Sequence, residues 1–527
     1  MLNIATCLIL IGLISPASAA TEDTIGKWGR LIIELPNSTY SGNPFLLEVD
    51  ATFTHNESST LITLPGYYAG GNVWKVAFMP TRTGQWTYST SSIDVDLDNV
   101  SGNVSVEASA RLGMLKADPN NPNKWKYSDG PYVVPIGVFV QIMVDTATTA
   151  EFTAMADFLK SNNIQLINFR LSENDLAFSD VATLQMNLPL WDRLEERMNI
   201  LAARDIGITM MIYTDDSGSP SFGPGPESAE EQLLFRYMVA RLASYPLVSF
   251  NTGIDLTEYR SQAWADWYGQ YVRSLDPYAH PISSRHCCGT GNILMSGQSY
   301  NSVGTRNSVL SGQLSAFNDF NLPGQNDDNW SEQASGDNGH TVADIRRAGW
   351  KSTIAGGVGF HVRDNVSRCY PGTTECDRSF LVANIQAQLD SEDFLSLVNL
   401  FVQTRLGQTF ATMVPDSLLV NSAGGKYALA DPERNKILVL LIGTNDTWDD
   451  GDGGPVTLKL SSISAAFTAN WFDPRTGSET SAGTLLGGSN YVLTPPSTDD
   501  WLLLLTKSDV DSDSVAPAAP TNLKVVD

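Results

Sequence analysis

Positive charge is scarce in this chain: 33 Lys and Arg stand against 58 Asp and Glu, a formal charge of −25 over 527 residues. Phosphate neutralisation needs clustered Lys and Arg, so the shortage excludes a general nucleic-acid binder, and the same balance repels anionic membrane surfaces. No C-x2-C pair occurs and the five histidines are scattered, which argues against a zinc site. No G-x-G-x-x-G or Walker-type loop follows an apolar run, which argues against a nucleotide fold. Charged residues make up only 17% and apolar residues 42%. That composition excludes disorder and coiled coil and supplies ample material for packed cores.

An uncharged apolar run, IATCLILIGLI at 4–14, is followed by Ala17, Ser18 and Ala19. It is too short to cross a bilayer and has the length of a signal-peptide core with small residues for cleavage, so residues 1–19 read as a signal peptide and the protein as secreted or periplasmic. Removing it takes Cys7 away and leaves Cys287, Cys288, Cys369 and Cys376, an even number in an exported chain, where disulfides persist. Cys369 and Cys376 bracket a Pro-Gly turn, which suits a local bridge. The adjacent Cys287 and Cys288 suit either a strained ring or free thiols.

Length alone suggests about three domains. From Trp28 to about Val106, short alternating runs such as LLEVDATF and VWKVAFM are separated by turn signals, the pattern of an antiparallel β-sandwich. From about Val133 apolar strand-like runs alternate with amphipathic helical ones. Strands are expected at 133–140, 164–171, 206–213, 247–254, 281–286, 300–306, 322–327 and 357–362, and eight such units fit a (β/α)8 barrel. Beyond Leu406 strand patterns return in KILVLLI, FTANWF and DWLLLLT, a second sandwich. The expected domains are therefore 20–112, 113–408 and 409–507, with 508–527 an acidic, Pro-rich linker and the first strand of a further module.

Barrel enzymes carry their chemistry at the C-terminal ends of the strands. There this sequence places Asn168, Arg170 and Glu173; Tyr213; Asp255 and Glu258; Arg285 and His286; Arg306; Asp327, Asp328, Trp330 and Glu332; and His361 and Arg363. Loops are polar in any protein, yet here carboxylates, guanidiniums, amides and aromatics converge on one rim. Two carboxyl groups across a cleft are what glycoside hydrolysis needs, one protonated to donate to the leaving oxygen and one ionised as nucleophile or base. Aromatic rings would stack on sugar faces, and the four arginines hint at a sulfated or carboxylated substrate, because guanidinium pairs with such anions bidentately. Each arginine could equally hold a catalytic carboxylate ionised. Trp264, Trp267 and Trp350 lie on amphipathic helices and read as core. The run DTWDDGDGG, with Asp446, Asp449, Asp450 and Asp452, invites a structural calcium but lacks the spacing and final Glu of an EF-hand loop, so it reads as a solvated turn and no cofactor or metal is required.

The segments NPFLLEVDATF, LPGYYAGGNVWKVAFMPTRTGQWTYSTSS and GMLKADPNNPNKWKYSDGPYVVPIG resemble the β-sandwich that precedes apiosidase-like glycoside hydrolases. FNTGIDLTEYR and HTVADIRRAGWKSTIAGGVGFH are similar to the barrels of those enzymes and, more loosely, of clan A glycosidases. NWFDPRTG and PPSTDDWLLLL resemble a collagen-binding-type β-sandwich that ends such chains. Together these cover nearly all of residues 25–507. The resemblance implies an acid/base after strand four, which falls on Asp255 with Glu258 as runner-up. It implies a nucleophile about five residues after a Pro-led strand seven, which falls on Asp328 with Asp327 and Glu332 as runners-up. The usual residue at both places is Glu. A shorter Asp widens the gap between carboxyls, from the ~5 Å of a retaining pair toward the ~6.5 Å that admits a water; backbone shifts offset this, and retention is favoured.

The expected function is thus a secreted glycoside hydrolase cleaving a polysaccharide or its oligosaccharides. The acidic surface suits a saline habitat and an anionic marine galactan such as agar or carrageenan. A non-catalytic carbohydrate-binding or adhesion protein on a glycosidase scaffold is the alternative, and a polysaccharide lyase a third class, revealed by unsaturated products.

Overall fold

The computed structural model describes residues 22–139, 147–171, 177–213, 225–253, 256–285, 295–303, 321–331, 342–363, 396–421, 427–443, 456–508 and 523–526. The N-terminal part packs a five-stranded sheet against a three-stranded one. In the strand Val49–His55 alternate residues are buried, so Val49, Ala51 and Phe53 face the opposite sheet, and Phe53 stacks on Phe78 with ring centroids 3.9 Å apart. This is the period of two that the alternating sequence predicts.

Eight parallel strands follow: β1 (Ile136–Phe139), β2 (Leu166–Arg170), β3 (Gly207–Tyr213), β4 (Val248–Gly253), β5 (Ile282–Ser283), β6 (Asn301–Val303), β7 (Gly324–Ser331) and β8 (Gly359–Arg363). All eight overlap runs expected from the sequence, β7 continuing to Ser331 beyond the expected end at 327. The ladder runs unbroken from β5 through β1 to β6 by way of β8 and β7. The remaining gap is bridged by the Ser299 N–H donating to the Ile282 carbonyl at 2.9 Å and the Ser283 hydroxyl donating to the Tyr300 carbonyl at 2.8 Å. The sheet is therefore a nearly closed barrel.

Helices α1 (Thr149–Ser161), α2 (Leu188–Ala202), α3 (Ala229–Leu242), α4 (Gln262–Leu275) and α5 (Val342–Ile354) coat the outside. Their starts are fixed by side-chain caps: Thr148 and Glu151 form a capping box on α1, and Ser228 and Ser261 accept N–H groups of α3 and α4. The sandwich docks on this helical layer through Arg30 to Glu195 (2.7 Å) and through the Tyr237 hydroxyl donating to the Tyr68 carbonyl (2.8 Å).

A hairpin, Leu115–Asp118 with Asn121–Tyr127, closes the bottom of the barrel. Leu115, Trp125 and Tyr127 share a core with Val133, Leu166, Leu247 and Tyr300, all at or beside the N-terminal ends of strands, and the Trp125 indole donates to the Gly324 carbonyl at 2.9 Å.

The C-terminal part has a six-stranded and a four-stranded sheet. Ile437, Val439, Leu441, Leu503 and Leu505 face the partner sheet, whereas Leu438, Leu440, Ile442, Leu502 and Leu504 face the barrel. Burial on both faces is why KILVLLI and DWLLLLT lack alternation. The segment expected to open a further module, Leu523–Val526, instead pairs antiparallel with Asn490–Leu493. An unpaired sheet edge captures an apolar strand because its free N–H and C=O groups need partners.

Candidate active site

Ile167 and Phe169 of β2, Ile208, Met210 and Ile212 of β3, and Val248 and Phe250 of β4 pack into the helical layer. Alternation therefore turns Asn168, Thr209, Ser249 and Asn251 to the barrel interior. Interiors of such barrels are usually filled by branched aliphatics. Here the Ser249 hydroxyl donates to Thr209 (3.1 Å), Asn251 donates to the Tyr300 hydroxyl (3.0 Å), and Gln325 on β7 lies 3.1 Å from Nε2 of His361 on β8. Gly137 on β1 is what lets the imidazole in, since a Cβ there would overlap the His361 ring.

One interior residue, level with Thr209 and Ser249, is left unsatisfied. Asn168 is fully buried, and neither atom of its amide has a hydrogen-bond partner. A buried amide without partners costs about 1–3 kcal/mol per group, and such a group in a cleft is suited to a ligand's hydroxyl or ring oxygen. Arg285 at the end of β5 is 4% exposed.

The two strands expected to carry carboxylates have irregular ends. Gly253 closes β4 with φ of 118°, and its N–H donates to the Asn251 side chain at 2.9 Å. A Cβ at that position would overlap the Tyr213 carbonyl, so only glycine lets β4 approach β3 this closely. Three residues on, the Leu256 N–H donates to the Arg285 carbonyl at 2.9 Å. Asp255 itself lies outside the described residues, between these two anchors in sequence, and Glu258 ends the short helical turn Leu256–Glu258. On β7 the ladder to β8 pairs Asn326 with Phe360 and then Asn329 with His361, so Asp327 and Asp328 occupy a bulge. Bulges re-aim side chains and are frequent beside active sites. Trp330 follows in the same strand, while Arg170 ends β2 and Arg363 ends β8. Glu173, His286, Arg306, Glu332 and the four cysteines lie outside the described residues, as does the run Asp446–Asp452.

Tyr213, expected to contact substrate, belongs to the wall. It is fully buried and its hydroxyl donates to Glu231 on α3, which also accepts from the Trp264 indole (2.8 Å), Arg260 (3.2 Å) and the Glu227 N–H (2.6 Å). Burial, reinforced by the Glu231 charge, pushes the Tyr213 phenol well above its usual range, so it stays a donor. The Arg260 guanidinium lies over the Tyr213 and Trp264 rings at 5.0 and 5.4 Å. Sequence reasoning missed Glu231, because Ser228-x-x-Glu231 reads as a capping box. Ser228 does cap α3, but the Glu231 carboxylate turns toward β3 and α4 instead. Trp264 and Trp350 are core, as expected, and Trp267 is half-buried.

Two family profiles match the chain: "Domain of unknown function (DUF5060)" over residues 24–93 and "Putative collagen-binding domain of a collagenase" over 414–506. These are the two sandwiches. A search of curated protein sequences finds no match. Among solved structures, a protein described as a "putative glycoside hydrolase" from Bacteroides vulgatus aligns over 92% of this chain and 100% of its own, with TM-score 0.69 and 14% identity. A family 5 glycoside hydrolase from Bacteroides vulgatus aligns over 78% of this chain and 96% of its own, with TM-score 0.58 and 16% identity. Another glycoside hydrolase aligns over 76% and 98%, with TM-score 0.59 and 13% identity. At such identities the likeness is one of fold: a (β/α)8 barrel with flanking β domains.

Proposed function

We propose that the protein is a secreted glycoside hydrolase that cleaves glycosidic bonds of a polysaccharide or its oligosaccharides at the C-terminal ends of the barrel strands. What supports this reading is the (β/α)8 fold shared with glycoside hydrolases, together with an irregular β7 whose backbone bulge carries Asp328; Asp255 follows β4 by two residues in the sequence. The family described for the similar structures supports the same chemistry.

Asp255 acts as acid/base, protonating the leaving oxygen and then deprotonating the water that resolves the intermediate. Asp328 attacks the anomeric carbon, so the anomeric configuration is retained. Asn168 supplies an unspent buried amide to the substrate near this centre. The arginines at the strand ends, Arg170, Arg285 and Arg363, suit an anionic galactan, and the leader at 1–19 suits export.

Product analysis by mass spectrometry on a panel of neutral, sulfated and uronic-acid polysaccharides tests the reading, with Asp255→Asn and Asp328→Asn as controls. Hydrolysis products that fall by about 10³-fold or more in each variant are expected, the scale of removing an acid/base or nucleophile. Turnover unchanged in both variants would remove these two residues from the mechanism. Wild-type protein that binds glycans and releases no product would favour a binding protein built on this scaffold.

A further inference from the structure

A second cleft, of about 180 Å³, opens on the flank of the barrel where the N-terminal sandwich meets α3 and α4. Phe45, Leu46, Tyr68, Arg236 and Tyr271 line it, together with Glu48. Its lining on α3 starts at Ala229, the first residue of the helix, and ends at Tyr237. Helices of this barrel run antiparallel to the strands, so the first half of α3 lies at the mouth end. At ~1.5 Å per residue, the cleft reaches only about 12 Å down the flank from the rim.

The walls have the chemistry of a sugar subsite. One face of the Tyr271 ring is covered by Trp267, with centroids 5.3 Å apart and planes 9° from parallel, and Tyr271 is held further by its hydroxyl donating to the Gln232 carbonyl at 3.2 Å. Tyr271 itself borders the cleft. Phe45 packs edge-on against Tyr68 (5.2 Å) and keeps that ring fixed opposite. Leu46 stands 50% exposed at the edge. Rings already held by their neighbours lose little conformational entropy on binding and supply the apolar surface on which the C–H faces of a pyranose stack.

Charge selects among sugars. Arg236 is the one cation in the lining, and it is already neutralised by Asp50 at 2.7 Å with Glu48 3.8 Å away. The Glu48 carboxylate is 71% exposed beside the cleft, which repels sulfate and uronate groups. The volume lies below the few hundred Å³ of pockets that engulf a small molecule, so the cleft suits one or two units of a chain that passes through.

We propose that this cleft is a secondary binding site for neutral sugar units of a glycan whose further length reaches the barrel mouth. The inference rests on the glycosidase reading for its biological sense, but its binding test does not depend on turnover. Affinity electrophoresis against galactomannan, mixed-linkage β-glucan and agarose, with carrageenan and alginate as anionic probes, is run on wild type, Tyr271→Ala, Tyr271→Phe and Leu46→Ala, each also in the Asp255→Asn background. Retardation by at least one neutral polymer is expected. Its dissociation constant should rise about tenfold in Tyr271→Ala, little in Tyr271→Phe, and by an intermediate factor in Leu46→Ala, with matching melting midpoints. If the protein is a glycosidase, Tyr271→Ala should also raise KM on the polymer and leave kcat on short oligosaccharides unchanged. No retardation of wild type by any neutral polymer, or equal retardation of wild type and Tyr271→Ala, would overturn the proposal. Retardation without product from any glycan would leave the cleft standing and sink the catalytic reading instead.

Discussion

Lys124 shows what a single residue contributes when it is buried with its charge. It sits in the hairpin that plugs the barrel, and its ammonium donates to the carbonyls of Gly356 and Met413, each at 2.7 Å, so one side chain ties plug, barrel and C-terminal part together. Burial pushes its pKa down to about 7. In the unfolded chain the same amine titrates near the ordinary lysine value of 10.5. Below pH 7 both states hold the proton and the cost of burying the charge is fully expressed. Between pH 7 and about 10 the unfolded state binds a proton that the folded state has shed, so stability rises with pH, by at most about 1.4 kcal/mol per unit. Denaturation of wild type and Lys124→Met at pH 6, 7, 8 and 9 reads this directly: wild type should gain on the variant step by step above pH 7. Parallel curves would mean that the amine stays charged in the fold, held by its carbonyl partners. At this scale the site was only partly legible. The rule that chemistry follows each apolar run pointed to Asn168, Arg285 and His361, all three of them buried. It assigned Tyr213 to substrate because nothing local reveals a partner on another helix. Gly137 and Gln325 were silent, since their roles exist only once β1, β7 and β8 are neighbours.

Among the elements, the plug hairpin was the least legible. Its sequence, LKADPNNPNKWKY, resembles the preceding β-sandwich and carries few apolar residues, because its core lies inside the barrel it closes. Strands such as β2, β3 and β4 were legible for the opposite reason: their helix-facing residues, among them Ile167, Phe169, Ile208, Met210, Val248 and Phe250, are apolar. The hairpin's contribution can be measured through Trp125, which is 3% exposed, donates to Gly324 and lies tilted on Tyr300 at 5.5 Å. Trp125→Ala should cost about 3–5 kcal/mol, the range for truncating a buried aromatic, whereas Trp125→Phe keeps most of the packing and loses a hydrogen bond worth about 1 kcal/mol. Urea denaturation of the two variants separates the terms. A Trp125→Ala protein within 1 kcal/mol of wild type would show that the hairpin lies against the barrel without supporting it.

At the scale of the whole molecule, the C-terminal sandwich is a structural wall of the barrel before it is anything else. Trp350 on α5 meets Phe472 at 5.6 Å, and Phe401 completes the cluster at 5.4 Å from Trp350 and 4.7 Å from Phe472. Beside it Asp500, 1% exposed, accepts from Arg346 at 2.6 Å, Arg347 at 2.9 Å and the Gly443 N–H at 2.8 Å. Both arginines belong to α5, the helix between β7 and β8, so the sandwich holds the helix that follows the strand bearing Asp327 and Asp328. Because the six-stranded sheet is apolar on both faces, detaching the sandwich would expose its barrel-facing face and the apolar surface it covers. The sandwich and the barrel should therefore unfold in one calorimetric transition. Asp500→Ala removes the carboxylate that two buried guanidiniums share, and breaking such a pair costs about 3–5 kcal/mol. The expected result is a lower shared transition, with thermal loss of glycan turnover falling in step. A barrel transition that stays in place while the sandwich melts early would show the two parts to be independent. In that case the C-terminal module would be an appended domain, and the geometry of β7 would owe nothing to it.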